Sequence, residues 1–446
     1  MVERVAIIGA GPAGCALACM LMERGIQTTV FDSDKTPSLL VGESLVPAVI
    51  PILRRLGIEE RVANISHIKR GAALRHSNGN RVDFEFQCFG KDAPNYAYNI
   101  PRPGFDRLLR ARAEELGVRF IVHKANVERL EDDPHRELVL SADSLAAGGY
   151  SPNSTPDLLI DATGRTRLFS RKLGISAQRG PRNDIAHFAH FNHFSSDSIL
   201  PGQVVLSVLR CGWSWQIPLS DTLTSVGVVL DKQAARDYGA SAAERLDAVI
   251  DDNPLLQQAG ANRKRVSDVM TYSNYQLISD QAFGKGWILL GDALGFVDPM
   301  LSPGVFMALE SAAMMDALVF APTNNNFANG AQTYHDHMLD WHDAWGKLIA
   351  YFYDGRMLSM GEMRNHIQQQ AGPFSLSRYA EPIVSRALSQ LVSGVKTRGT
   401  LQQAILHHAC RHLIKDPQVP EQNKIHSSLG TPSNLDQSVR RQSAVA

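Results

Sequence analysis

The chain has 446 residues, 44% hydrophobic and 20% charged, a balance that buries a large core and suits about two to three domains. Lys plus Arg equals Asp plus Glu at 45 each, so no net field draws it to nucleic acid or to an anionic membrane surface. No apolar run approaches the roughly 18 residues of a membrane span, and the apolar opening carries a Gly-rich turn instead of a cleavage site, so a cytoplasmic location is expected.

That opening reads "RVAIIGAGPAGCALACMLMERGIQTTVFDSD". A short apolar strand passes Gly9, Gly11 and Gly14, enters an apolar helix and returns through residues 28–31 as a second strand ending at Asp32. The spacing is that of a dinucleotide-binding βαβ unit. Gly9 serves the tight turn, Gly11 the approach of a pyrophosphate, Gly14 helix packing, and Asp32 accepts from ribose hydroxyls. Cys15 and Cys19 lie in the helix pattern, and with Cys88, Cys211 and Cys410 they show no CxxC spacing. Free thiols are expected.

Further along come "VGESLVPAVIPILRRLGI", "HIKRGAALR" with Lys69, and strand-like alternation over 76–100. "NIPRPGFDRLL" sets Arg102 at a helix start, and "LLIDATGRTR" is an apolar strand running into Asp161 and Gly164. Alternation returns over about 176–280. In "AHFAHFNHF" a strand puts His187 and His193 on one face and His190 on the other, poor geometry for a metal, so none is expected. In "GWSWQIPL" Trp213 and Trp215 stand two apart, which places both indoles on one wall. Simple packing of a sheet face is the alternative.

"GWILLGDALGFVDPMLSPGVFMALESA" then gives a strand, Gly291, Asp292, a loop and a helix. From about 330 the period becomes helical: Tyr334, Met338, Trp341, Trp345, Leu348 and Phe352 recur at spacings of three and four. Such a stripe faces a core or forms a lid over a pocket. A second helical stretch covers about 376–415, and a polar tail with little to bury follows.

The Gly-rich unit, "LLIDATGRTR" and the Gly-Asp segment stand in the order of the FAD-dependent monooxygenase superfamily, which residues 1–330 resemble. The resemblance implies a flavin contact to the ribityl chain at Asp292. It adds Arg102, Asp161, Gly164, Gly291, Pro299, Gly304 and Val305 to the cofactor site, although an Arg at a helix start also suits the surface. Only one GxGxxG is present, so electrons come from transiently bound NAD(P)H or a separate flavin reductase, and O2 is the cosubstrate.

Within that superfamily "VGESLVPAVIPILRRLGI", "HIKRGAALR" and "GWSWQIPL" resemble the flavin-dependent halogenase branch. By that likeness Trp213 and Trp215 line the passage between flavin and substrate, and Lys69 relays oxidant. The residues alone also allow Lys69-Arg70 as a solvated basic turn. In the branch, backbone N–H groups at Ser302-Pro303-Gly304 hold halide, but Pro303 has none. Leu301 stands where tryptophan halogenases have a glutamate.

The expectation is therefore an α/β protein with a Rossmann-type FAD-binding domain, an inserted β-sheet substrate domain and a helical C-terminal part. The expected boundaries are 1–75, 100–175 and 281–330 for FAD, 76–99 and 176–280 for substrate, 331–415 helical and 416–446 tail. Because Pro303 counts against halide, the first reading is a monooxygenase acting through a flavin C4a-hydroperoxide. It hydroxylates an indole or phenol, free or as a Trp in a peptide or protein, as in tryptophylquinone maturation. The alternative is a halogenase of an aromatic substrate. A non-catalytic maturation partner and a reductase of isoprenoid double bonds are further readings.

Overall fold

A parallel sheet lines up the C-terminal ends of its strands along one edge, and here that edge collects the Gly-rich turns. The computed structural model describes all residues except 1, 34–38, 88–93, 152–153, 196–197, 274–275, 325, 361–376, 414–420 and 426–446. Cys88 and most of the polar tail lie outside the described residues. The sheet runs Phe283–Gly284, Trp287–Leu289, Leu158–Asp161, Arg4–Ile8, Gln27–Asp32, Arg119–Val122, with only the first strand antiparallel to its neighbour. Its central strands are apolar without alternation because both faces are covered; Val5, Ala6 and Ile7 are fully buried. Helix Pro12–Glu23 crosses over from the first strand to the second and packs on helix Gly304–Leu318.

An eight-stranded sheet stands opposite. Its order is Lys264–Arg265, Asp184–Asn192, Leu223–Asp231, Gly212–Pro218, Val204–Leu209, Gly71–Arg75 and Arg81–Glu85, with Met270–Ser273 also paired to Asp184–Asn192. One face carries Trp213, Trp215 and Leu206; the other packs Val226, Val228 and Leu230 under Leu246, Val249 and Ile250 of helix Ala242–Asp252. That helix starts from a capping box, Ser241 with Glu244.

Two segments fall differently from the sequence division. Strand Gly71–Arg75 joins the large sheet, Ala72 opposite Val204 in parallel register, and Ala97–Asn99 pairs instead with His67–Lys69. The partner of the first strand lies some 130 residues along the chain, and no local pattern reveals such a pairing.

The C-terminal part is helical: Phe327–Tyr353, Ser377–Val392 and Thr400–Leu413. The stripe from Tyr334 to Phe352 is buried throughout, so it is core. Each such side chain contributes about 1.5–3 kcal/mol by leaving water. Cys15, Cys19, Cys211 and Cys410 are free thiols. Among the described residues no helix is long and apolar enough to cross a membrane.

Candidate active site

Between the parallel sheet's C-terminal edge and the tryptophan face lies a cleft of about 1270 Å³, solvent-open part included. At its first wall Gly9 has φ +118°, and a Cβ there would collide with the Ala162 carbonyl; a Cβ on Gly14 would collide with the carbonyl of Gly9. Gly11 is different. A Cβ there would meet nothing within 4 Å, and the residue borders the cleft. It also caps helix Pro12–Glu23, which has no side-chain cap and no acid in its first turn. Unsatisfied N–H groups at the positive end of the helix therefore front open space, as an anionic diphosphate requires.

Asp292 follows Gly291, φ +58°, in the turn Gly291–Ala293. It is half-buried, lines the cleft, and has no hydrogen-bond partner among the described residues. Burial raises its carboxyl to about 6, against the pull of Arg102 and Arg165. An unpartnered acceptor across from an uncapped helix fits the hydroxyl-bearing, diphosphate body of FAD. Arg102 opens helix Arg102–Glu115 and donates to the Val41 carbonyl at 2.6 Å while its fork holds Asp106 at 3.1 and 3.2 Å. It thus staples the segment 41–44 to the cleft wall.

Lys69 is 3% exposed, because its strand, His67–Lys69, lies under the segment that follows Gly42. Its Nζ donates to Ser44 Oγ at 2.8 Å and to the Leu45 carbonyl at 2.9 Å, and stands 5.3 Å from the Phe86 ring centroid. Desolvation lowers its pKa to about 7. This is no solvated basic turn. Beside it Glu43, 1% exposed, places Oε1 2.6 Å from His190 Nε2. His187 points the other way, to Thr271 Oγ1 at 2.9 Å, and His193 sits past the strand end with φ 57°. The three histidines do not converge, and no group able to hold a metal occurs among the described residues.

Trp213 and Trp215 share the cleft wall, with ring centroids 5.8 Å apart. Trp215 Nε1 donates to Ser225 Oγ at 3.3 Å, and its ring lies over Gly227, where a Cβ would collide with it. Trp213 Nε1 donates to the Tyr353 hydroxyl, which donates in turn to Asp298 Oδ2 at 2.8 Å. Burial lifts Asp298 to about 6.

Asp298 begins the loop whose Pro299, Leu301, Ser302, Gly304 and Val305 line the cleft. Leu301 and Ser302 are left-handed, φ 66° and 64°, at a cost of about 1–3 kcal/mol each. The loop holds them through Ser302 N donating to the Pro299 carbonyl at 3.1 Å and Met300 N to Asp298 Oδ1 at 2.9 Å. Pro303 then caps helix Gly304–Leu318, which lacks both a side-chain cap and an early acid. Pro303 removes one donor, but Gly304 and Val305 line the cleft and their N–H groups have no partner among the described residues. The sequence reading counted Gly304 in this turn and weighed the loss at Pro303 without the Val305 N–H.

Two expected cofactor residues do not border this cleft. Asp161 is fully buried and accepts from Thr163 N, Thr163 Oγ1 and Phe169 N at 2.9, 2.6 and 2.7 Å. It shapes the turn that brings Gly164 to the cleft and does not border the cleft itself. Asp32 accepts from Arg110 Nη1 at 2.5 Å, also off the cleft lining. A carboxylate at a strand end takes the nearest donors, and here these belong to the protein. Glu43, Ser44, Asp298 and Tyr353 had no role in the sequence reading, although Glu43, Ser44 and Asp298 stand inside quoted stretches; His190 figured there only as a strand histidine beside the pocket.

Residues 4–93 and 87–357 match the Tryptophan halogenase family. The chain is 29% identical over 378 residues to a 1H-pyrrole-2-carbonyl-peptidyl-carrier-protein chlorinase of Pseudomonas fluorescens, covering 78% of this chain and 83% of that one. It is 26% identical over 415 residues to a tryptophan 2-halogenase of Chondromyces crocatus, covering 90% and 77%. Its fold is that of the flavin-dependent brominase Bmp2, with a TM-score of 0.75 at 23% identity over 92% of this chain and 98% of the brominase. Since the family match takes in both sheets and the loops that wall the cleft, the chain belongs to the tryptophan halogenase family, the flavin-dependent halogenase branch of FAD-dependent enzymes.

Proposed function

We propose that the protein halogenates an electron-rich aromatic substrate, which reverses the ranking reached from sequence. The observation that carries this reading is Lys69, a buried amine of pKa about 7 in the cleft wall. In direct oxygen transfer it would only steady the charge left on the departing oxygen. A small diffusing oxidant needs more, because something must hold it and give a proton to the departing hydroxide. Relatives named as a chlorinase and a halogenase support the same ordering over hydroxylation and quinone-cofactor maturation.

In this reading the N-terminus of helix Pro12–Glu23 at Gly11 holds the FAD diphosphate, Asp32 lies toward the ribose, and Asp292 takes the ribityl hydroxyls. Gly164, Gly291, Pro299 and the start of helix Gly304–Leu318 complete the cofactor end. When bound and reduced, FAD supplies the electrons that let O2 oxidise halide to hypohalous acid. The protein's part is the rest. Gly304 and Val305 N–H groups bind halide; Trp213 and Trp215 keep water and substrate from the cofactor end; Lys69 receives the hypohalous acid. A separate flavin reductase or transiently bound NAD(P)H provides the electrons. The relatives' names support a pyrrole or indole ring, free or carrier-borne, as the substrate class.

The test is mass spectrometry of products from the FAD-loaded, enzymatically reduced protein given indoles, phenols and pyrroles with oxygen-18 gas and bromide. Bromine without labelled oxygen is expected. A labelled hydroxyl group in place of bromine would restore the monooxygenase reading.

A further inference from the structure

Arene halogenation by hypohalous acid releases a proton from the ring, and the cleft needs an acceptor for it. The ring carbon attacks the halogen, the C–X bond forms and the O–X bond breaks; hydroxide leaves, takes a proton from the Lys69 ammonium and becomes water. The cationic ring then loses its hydrogen as a proton, and the C–H electron pair restores aromaticity. Lys69 serves as the acid in the first step. A second group on the cleft wall is the candidate base, since Lys69 Nζ is committed to Ser44 and Leu45 as the donor of the first step.

The cleft lining includes two carboxylates, Glu43 and Asp292. Asp292 belongs to the cofactor end: a Cβ on its neighbour Gly291 would stand 3.0 Å from the Cβ of Ala13, in the first turn of the dinucleotide helix. Glu43 belongs to the Lys69 end. The two residues after it, Ser44 and Leu45, hold Lys69 Nζ, and its own carbonyl accepts from Ile100 N at 2.7 Å. His190 engages Oε1 only; Oε2 has no partner among the described residues. A buried carboxylate with one oxygen held by His190 and the other uncommitted on the cleft wall is placed to take a proton from a substrate there.

We infer that Glu43 accepts the proton released from the substrate ring, with His190 positioning it; the carboxyl then gives this proton to water of the open cleft, and the Lys69 amine takes one up from that water. The net change is arene plus hypohalous acid to haloarene plus water. The inference rests on the halogenase reading above.

The test compares wild type, Glu43→Gln and Glu43→Asp as FAD holoenzymes supplied with reduced flavin, O2 and bromide. Total hypobromite is trapped with monochlorodimedone in parallel assays. Indole, phenol and pyrrole-2-carboxamide, each unlabelled and ring-deuterated, are the probe arenes. The share of hypobromite that ends on an arene is expected to fall about 100-fold in Glu43→Gln and to recover in part in Glu43→Asp. Deuterated and unlabelled rings should react alike in wild type and unequally in Glu43→Gln, where proton loss has become limiting. A mere structural role would not create that isotope effect.

An unchanged share with equal rates overturns the assignment. So does loss of hypobromite itself in Glu43→Gln with FAD still bound, which would place Glu43 before the oxidant. Wild type that forms hypobromite but brominates none of the three arenes overturns it as well. Wild type that forms no hypobromite removes the halogenase reading, and this inference with it.

Discussion

Trp213 Nε1 donates to the hydroxyl of Tyr353 across 2.9 Å, tying the central strand of the large sheet to the last residue of the long helix Phe327–Tyr353. The same hydroxyl reaches Asp298, so one phenol links the tryptophan wall, the C-terminal helices and the loop that ends in the left-handed pair Leu301-Ser302. Tyr353→Phe keeps the ring under the Arg182 guanidinium, 4.1 Å from its centroid, but strands a buried indole N–H. A loss of about 1–3 kcal/mol in urea unfolding is expected. Unaltered stability would mean that the indole finds another acceptor.

Gly11→Ala and Gly14→Ala separate binding from folding. Open space at Gly11 and its φ of −74° tolerate a methyl group in the protein alone, so its melting temperature should stay within about 1 °C of wild type while FAD affinity falls. At Gly14 the methyl group meets the Gly9 carbonyl, so the melting temperature itself should drop. Differential scanning calorimetry with FAD titration reads both. A Gly11→Ala protein that binds FAD normally would place the diphosphate elsewhere.

Asp292→Asn should weaken FAD binding about 10- to 100-fold, the worth of one charge-assisted hydrogen bond. Because the folded carboxyl titrates near 6, above its usual 3.8, the flavin-free wild type loses stability from this group as pH rises from about 4 to 6. The variant does not. Unfolding curves of both proteins over that window should diverge in favour of the variant; parallel curves would contradict the burial penalty.

Lys69→Met should stop arene halogenation and leave consumption of reduced flavin. Its stability signature has a definite sign. The folded pKa of about 7 lies below the usual 10.5, so between those values the unfolded chain holds the extra proton and wild-type stability rises with pH. The slope approaches about 1.4 kcal/mol per pH unit at most. Relative to Lys69→Met, wild type should gain from pH 7 to 9.5 in urea unfolding. A constant gap would place Lys69 in contact with water.

Pro303→Ser restores an N–H ahead of Gly304 and Val305. One added donor is worth about 1 kcal/mol, so the KM for bromide should fall roughly fivefold at similar turnover. An unchanged KM would show that the helix start already meets the anion's needs.

Where the reading of the chain depended on short range, it held. The Gly9-Gly11-Gly14 turn and the common face of Trp213 and Trp215 follow from spacings set by helix and strand geometry, and the stripe from Tyr334 to Phe352 marked a buried helix. The domain edges did not follow, since Gly71–Arg75 finds its partner strand far along the chain. Asp161 and Asp32 matched a pattern; in the fold Asp161 accepts from Thr163 and Phe169, and Asp32 Oδ2 accepts from Arg110. Only the geometry could show that, because a carboxylate's partner depends on which donors the turn brings close.

The sequence by itself thus determined the nucleotide unit, the succession of strands and helices and the indole wall, all properties of neighbours within a few residues. Tertiary structure decided the chemistry. It buried Lys69 and so lowered its pKa, brought His190 to Glu43 from 147 positions away, set Tyr353 beneath Trp213, and opened the first N–H groups of helix Gly304–Leu318 to the cleft despite Pro303. Desolvation and long-range hydrogen bonds arise when distant segments pack, and the order of residues along the chain carries no direct record of which segments those are.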